Sequence, residues 1–143
     1  MRMSLGSDAE RALFDNYFRL YRSKLGEGLP ALIPQVYLHY DPAIVKLLRH
    51  RTGLRRQRMD FLLLLPNSRR VVLEVDGSHH FSRDEKPSLT AYAEMVAADR
   101  DLRLAGYDVY RFGANELTAT GAGSLIERFF DRLWTLHGVP EVR

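Results

Sequence analysis

The chain has 143 residues, of which 45% are hydrophobic and 27% are charged, and its formal net charge is +3. This length and composition are typical of one folded domain and exclude an intrinsically disordered chain. No apolar run approaches the ~20 residues that a membrane helix requires. The absence of cysteine excludes disulfides, thiolate metal sites and a cysteine nucleophile.

The pattern of apolar and polar residues predicts an α/β domain. Residues 8–25 place apolar side chains at helical spacing, with Ser7 or Asp8 as a suitable N-cap. Residues 35–40 alternate apolar and polar side chains, as a strand does. The other predicted elements are a short helix at 43–53, strands at 58–66 and 69–77 joined by a compact turn at 66–68, a helix at 88–106, a strand at 107–113, and a helix at 124–138 capped by Ser124.

The domain organisation is simple. No repeat, low-complexity tract or linker divides the sequence, so we expect residues 1–143 to form one domain, either by itself or within a larger protein. The stretch MRMSLGSDAERALFD lacks the apolar core of a signal peptide, and a cytoplasmic location is therefore the expectation. We also expect no membrane partner.

Arginine carries most of the positive charge. The densest cluster, RHRTGLRRQR at 49–58, includes the candidate nucleic-acid contacts Arg55, Arg56 and Arg58. A planar guanidinium suits phosphate, but a solvated basic loop explains this segment at least as well. The overall basic balance favours a polyanionic partner.

Two strands carry carboxylates where apolar side chains are expected. If residues 66–68 form the turn, Asp60 lies directly opposite Glu74, and Arg58 lies opposite Asp76. Opposed like charges destabilise a sheet, unless one carboxylate is protonated, a cationic side chain pairs with both, or a divalent metal bridges them. For Asp60 and Glu74 we favour the metal, because no lysine is near and both interrupt apolar runs. For Asp76, pairing with Arg58 and a functional role are equally consistent with the sequence.

Other polar residues have a structural explanation beside a functional one. Glu10, in the first turn of a helix, complements the helix dipole, and this structural role is favoured from its position alone. His79 and His80 follow a glycine, where histidines are usually solvated, but imidazole close to a carboxylate pair suits proton transfer. Asp99 and Arg100 fit an exposed helical face with local ion pairs.

The segments MDF, EVDGSHHF and DRDLRLAGYDVYRF, in this order, resemble the PD-(D/E)XK superfamily of nucleases. Within it, they are most similar to small single-domain proteins related to the very short patch repair endonuclease. The resemblance covers about residues 8–117. It implies a restriction-endonuclease-like core, with a mixed central sheet flanked by helices in the order α-β-β-β-α-β plus a C-terminal helix. Residues 41–57 would be a basic insertion.

The resemblance also implies a metal site. Asp60 and Glu74 would be the metal-binding acids, and the main-chain carbonyl of Val75 would be a further ligand. The cofactor would be Mg²⁺ or Mn²⁺, which prefer oxygen ligands.

Further roles follow from the same resemblance. Glu10 matches a helix glutamate that supports the site, and His80 matches a histidine that follows the strand. Asp76 stands where many members have a catalytic lysine, so His80 or a metal-bound water would act as the general base. Arg111 matches the arginine of the last core strand and would contact nucleic acid.

The function implied is a metal-dependent DNA endonuclease, acting in anti-phage or restriction-type defence or in DNA repair. RNA remains open as a substrate, and cleavage of both strands would require a homodimer, a partner protein or two binding events. The first alternative is a catalytically inactive nucleic-acid-binding module of the same fold. The second is a structural or regulatory domain that uses Asp60 and Glu74 only for ion pairs.

Overall fold

A computed structural model of the chain describes residues 5–37, 58–77, 82–83 and 86–140. The predicted helix at 43–53 and the end of the predicted strand at 35–40 lie outside these ranges. The described elements, in chain order, are α1 (Asp8–Leu25), β1 (Ala31–Tyr37), β2 (Arg58–Leu64), β3 (Arg70–Asp76), β4 (Ser82–Arg83), β5 (Lys86–Pro87), α2 (Leu89–Leu104), β6 (Tyr107–Gly113), α3 (Ala114–Thr118) and α4 (Ala122–His137).

Four strands form an open mixed sheet in the order β1-β2-β3-β6. β1 and β3 both pair with β2 in antiparallel fashion, whereas β3 and β6 are parallel. A parallel pair requires a crossover connection, and α2 lies in the segment that provides it. β4 and β5 form a separate two-stranded pair. The predicted α/β class is confirmed.

The β2–β3 hairpin has the register expected from a three-residue turn. Leu65 donates its main-chain N–H to the carbonyl of Arg69 at 2.9 Å, and Phe61 pairs with Leu73 farther along. Pro66–Ser68 form the turn, and Asn67 adopts a φ of 61° within it. The observed register is the predicted one as far as the pair Phe61–Leu73, and the next residues along the two strands are Asp60 and Glu74.

The main core lies between one face of the sheet and the helices α1 and α4. Tyr17 of α1 packs on Phe130 of α4 with ring centroids 4.8 Å apart, and Phe130 packs on Trp134 at 5.3 Å. The Tyr17 hydroxyl donates to the carbonyl of Pro30 at 2.6 Å, which satisfies its one buried polar group. The strands contribute buried apolar side chains to this core, among them Phe61, Leu63, Val71, Leu73, Val75 and Phe112.

A smaller apolar cluster covers the opposite face of the sheet, beneath α2. Val72 of β3 and Val109 of β6 pack there against Leu102 of α2. Successive side chains of a strand point to opposite faces, so Glu74 and Arg111 share this face with Val72 and Val109. The end of the sheet under α2 is therefore polar.

The first strand and the last helix begin earlier than predicted, and the first strand starts at Ala31 rather than at residue 35. The last helix begins at Ala122, with Gly121 as its N-cap, so Ser124 lies inside the first turn and the predicted cap was wrong. Gly121 adopts a φ of 92° and turns the chain out of the short helix α3, which the sequence did not predict. No helix in the described ranges is long and apolar enough to cross a bilayer.

We expect the replacement Phe130→Ala to lower the free energy of unfolding by about 3–5 kcal/mol, because it leaves a cavity between α1 and α4. Urea denaturation followed by circular dichroism measures this change. Leu136→Ala is the control on the same helix: its side chain is 68% exposed, so the change should stay below about 0.5 kcal/mol. Equal losses in the two variants would contradict this assignment of the core.

Candidate functional site

β2 and β3 separate at Asp60. Their regular pairing ends at Phe61 and Leu73, whereas β3 continues to pair with β6 as far as Asp76 and Gly113. At the separation, the Asp60 carboxylate accepts the main-chain N–H of Val75 at 2.8 Å. A side-chain oxygen thus replaces the main-chain acceptor that a continued β2 ladder would supply.

The same geometry places the Val75 carbonyl on the side of β3 that faces Asp60. Leu65 bonds to β3 through its peptide group, and peptide groups of successive strand residues point to alternate neighbours. By this alternation, Leu73 and Val75 both turn their N–H and C=O groups towards β2. Val75 lies beyond the last regular pair, so its carbonyl lies on the side of the Asp60 carboxylate.

Asp60 and Glu74 form a buried carboxylate pair, with exposed fractions of only 8% and 6%. Burial, the charge of Asp60 and a side-chain hydrogen bond to Asp60 raise the pKa of Glu74 to about 9, against the opposing effects of Arg111 and of the Asp60 main-chain N–H. Two adjacent carboxylates in a low dielectric cannot both ionise without compensation. In the absence of a cation, Glu74 therefore keeps its proton at neutral pH.

This pair suits a divalent cation. Glu74 Oε1 is buried and has no hydrogen-bond partner among the described residues, and a buried oxygen without a partner is costly. With Asp60 and the Val75 carbonyl it supplies only oxygen donors, which Mg²⁺ and Mn²⁺ prefer. Within the described ranges, no group of three or more Asp, Glu or His side chains is arranged for a metal. The ligand set would therefore be two carboxylates and one carbonyl.

Arg111 forms ion pairs with two acids beside this pair. Its Nε and Nη2 donate to Asp99 of α2 at 2.8 and 2.6 Å, and its Nη1 donates to Asp76 at 2.6 Å. The Arg111 side chain is only 20% exposed. The guanidinium thus ties α2 to the ends of β3 and β6, with these donors directed inward. Its predicted contact with nucleic acid stays a prediction, as does that of Arg58, which lies exposed at the start of β2.

Glu10 connects α1 to β1. Ser7 caps α1 by accepting the Glu10 main-chain N–H at 3.1 Å, and the Glu10 carboxylate accepts from Ser7 Oγ and from Gly6 N–H. It also accepts from Gln35 Nε2 at 2.7 Å. Gln35 is the β1 residue that faces Asp60 in the register, so Glu10 is joined to the neighbourhood of the carboxylate pair through this amide.

The remaining predicted site residues, His80, Arg55 and Arg56, lie outside the described residues, as does His79. Reasoning from sequence missed Gln35 and underestimated Asp99, which it placed on an exposed face. Pro34 was the signal for Gln35, because proline within a strand marks an edge or an irregularity of the ladder. No comparable signal exists for Asp99, since its partner Arg111 is on another element.

Comparison of the chain with protein-family models, with curated proteins and with solved structures gives no significant match.

The Glu74 pKa generates a pH prediction for the metal-free protein. Above pH 4.5, the unfolded chain loses the Glu74 proton, whereas the folded chain keeps it up to about pH 9. The folded state then binds more protons, so this group lowers the free energy of unfolding as pH rises through that window. The stability of Glu74→Gln relative to wild type should therefore increase with pH, as measured by urea denaturation in EDTA.

Glu27→Gln is the matched control, since Glu27 is exposed in the turn after α1. It also removes one carboxylate, so the effect of pH on Glu74→Gln is compared with the effect of pH on this variant. The same pH dependence in both variants would contradict a proton retained at Glu74.

Proposed function

We propose that this chain is a Mg²⁺- or Mn²⁺-dependent endonuclease that hydrolyses phosphodiester bonds in DNA, with a role in defence or DNA repair. The observation that carries the proposal is the buried Asp60–Glu74 pair, in which Glu74 Oε1 has no partner among the described residues. A structural ion pair would contain a cation, and none of the interactions described for these two side chains contains one except the more distant charge of Arg111.

The fold is compatible with a PD-(D/E)XK nuclease of the restriction-endonuclease-like type. The described elements follow the order α-β-β-β-α-β with a C-terminal helix, apart from the small pair β4–β5 and the short helix α3. The central sheet is mixed, and its strands separate beside the two acids. The match between this order and the motifs MDF, EVDG and YDVYRF supports the assignment.

The chemistry follows from the residues of the site. A bound Mg²⁺ or Mn²⁺ would activate water and neutralise charge on the scissile phosphate. Asp60 and Glu74 would hold the cation and exchange their shared proton for it, because a metal ligand must be deprotonated. Asp76 is already an acceptor for Arg111, which makes it a poor general base. His80 is the proposed proton carrier.

A catalytically inactive nucleic-acid-binding module is the second candidate. The observation in its favour is the ion pair between Asp76 and Arg111, which occupies the position where many superfamily members have the catalytic lysine. In such a module the basic residues Arg55, Arg56 and Arg58 would hold phosphates, and binding would weaken with salt.

Plasmid cleavage distinguishes the two candidates. Wild type should convert supercoiled plasmid to nicked or linear DNA in Mg²⁺ or Mn²⁺ and not in EDTA. Glu74→Ala and Asp60→Asn should each lose activity by at least about 100-fold, the upper range for loss of an outer-shell partner alone. Asp60→Asn is the sharper variant, because asparagine can still accept the Val75 N–H while it lacks the charge.

Glu27→Ala should cleave like wild type. Cleavage that persists in EDTA or in Glu74→Ala would contradict the nuclease proposal. Metal-independent retention of DNA by wild type and Glu74→Ala, without cleavage, would favour the binding module. A parallel assay with single-stranded RNA determines which nucleic acid is the substrate.

Metal linkage gives a test without nucleic acid. A cation that binds only the folded chain stabilises it by about 2.7 kcal/mol at a concentration about 100 times its Kd, which should raise Tm by about 5–10 °C for a domain of this size. Differential scanning fluorimetry with Mn²⁺ should show this shift for wild type and not for Glu74→Ala. The Mn²⁺ shift should persist in Glu27→Ala, and equal shifts in all three proteins would place the cation elsewhere.

A further inference from the structure

Gln35 has an unusual backbone conformation for a strand residue. Its φ is 56°, in the left-handed region that residues other than glycine, asparagine and aspartate rarely adopt. The β1–β2 register is interrupted at the same residue: Pro34 pairs with Phe61 and Val36 pairs with Met59, but the pair between them is missing. The residue opposite Gln35 in this gap is Asp60.

The gap falls where Asp60 would otherwise be bonded to β1. Because peptide groups alternate along β2 and Leu65 faces β3, Asp60 faces β1 in a regular ladder and would exchange two hydrogen bonds with Gln35. In the structure that pair is missing, and the Asp60 side chain instead accepts the main-chain N–H of Val75 on β3 at 2.8 Å. The left-handed conformation of Gln35 therefore interrupts the β1–β2 ladder at the residue whose side chain bonds to β3.

The side chains of β1 and β2 also change the face of the sheet on which they pack. On β1, Leu32 packs in the main core, yet Val36 packs in the cluster beneath α2. Residues an even number of positions apart face the same side of a regular strand, so the faces are exchanged between these two positions. On β2, Phe61 and Met59 show the same exchange around Asp60. Both strands thus change face at the Gln35–Asp60 position.

The Gln35 side chain also fixes this conformation, through a hydrogen bond to α1. Its Nε2 donates to Glu10, whose carboxylate is 8% exposed and is fixed by two further donors at the N-terminus of α1. Its Oε1 is buried without a partner among the described residues. A strained backbone with an unsatisfied oxygen persists only where the surroundings over-determine it, and such positions cluster at functional sites.

We propose that Gln35 is a positioning residue for the Asp60–Glu74 pair: its left-handed backbone opens the β1–β2 ladder at Asp60, and its amide, bound to Glu10, holds the ladder open. This inference rests on the proposed metal function of that pair. It assigns to Gln35 no contact with the substrate. Its effect is on the geometry with which the two carboxylates meet a cation.

The test is Mn²⁺ affinity, measured by isothermal titration calorimetry without nucleic acid, in wild type, Gln35→Gly and Gln35→Val. Glycine adopts positive φ without strain, so Gln35→Gly keeps the gap and loses only the bond to Glu10; we expect Mn²⁺ to bind about 3-fold more weakly. Valine disfavours positive φ and restores a regular strand, so Gln35→Val should weaken binding by about 10–100-fold, the range for outer-shell positioning groups.

Asn67→Val is the matched control, because Asn67 also has a positive φ, of 61°, but lies in the turn at the far end of the hairpin. It should lower Tm and leave Mn²⁺ affinity within about 2-fold of wild type. This control distinguishes the effect of backbone strain at Gln35 on Mn²⁺ binding from the effect of backbone strain elsewhere in the chain. If Gln35→Val proves too unstable to measure, Gln35→Glu places a carboxylate against Glu10 at nearly equal volume and should weaken Mn²⁺ binding beyond Gln35→Gly.

The outcomes separate this inference from the proposed function. Wild-type protein that binds no Mn²⁺ overturns the metal site itself, and with it the role of Gln35. Wild-type binding with Gln35→Val or Gln35→Glu within about 2-fold overturns only the role of Gln35. Circular dichroism at the titration temperature establishes that each variant is folded, so that weak binding is not loss of structure.

Discussion

The hydrogen bond from the Val75 N–H to the Asp60 carboxylate is the interaction on which the site depends. A buried main-chain N–H must have an acceptor. The regular β2–β3 pairing ends at Phe61 and Leu73, so the main chain of β2 supplies no acceptor for Val75. Because an aspartate supplies it, β3 can leave β2 and continue beside β6 without an unsatisfied amide. The same hydrogen bond thus accounts both for the separation of β2 from β3 and for the burial of Asp60.

Acidic side chains outnumber basic ones around the Asp60–Val75 hydrogen bond. Four acids meet there, Asp60, Glu74, Asp76 and Asp99, with Arg111 as the cation that the described interactions place among them. Arg111 is committed to the outer two acids, which fixes α2 on the sheet. The inner two are left with one proton between them. The divalent cation that we propose would match these two carboxylates in charge and ligand preference.

The residues of the candidate site lower the free energy of unfolding, and the packing of the rest of the domain offsets this loss. A buried carboxylate pair, an unsatisfied Glu74 oxygen and a left-handed Gln35 each destabilise the folded state. The aromatic packing of α1 against α4 lies on the other face of the sheet and contributes stability there. The carboxylate pair and the main aromatic core thus lie on opposite faces of the sheet.

The sequence by itself determined the main helices, the strands β2, β3 and β6 and the β2–β3 register, because apolar periodicity and the turn at 66–68 are local signals. It therefore placed Asp60 opposite Glu74 as well. Only the tertiary structure decided that Arg111 pairs with both Asp76 and Asp99, since these residues come from three elements. It also decided the break at Gln35, which depends on α1 and β2 together. Contacts between elements distant in the chain leave no periodic trace in a single sequence.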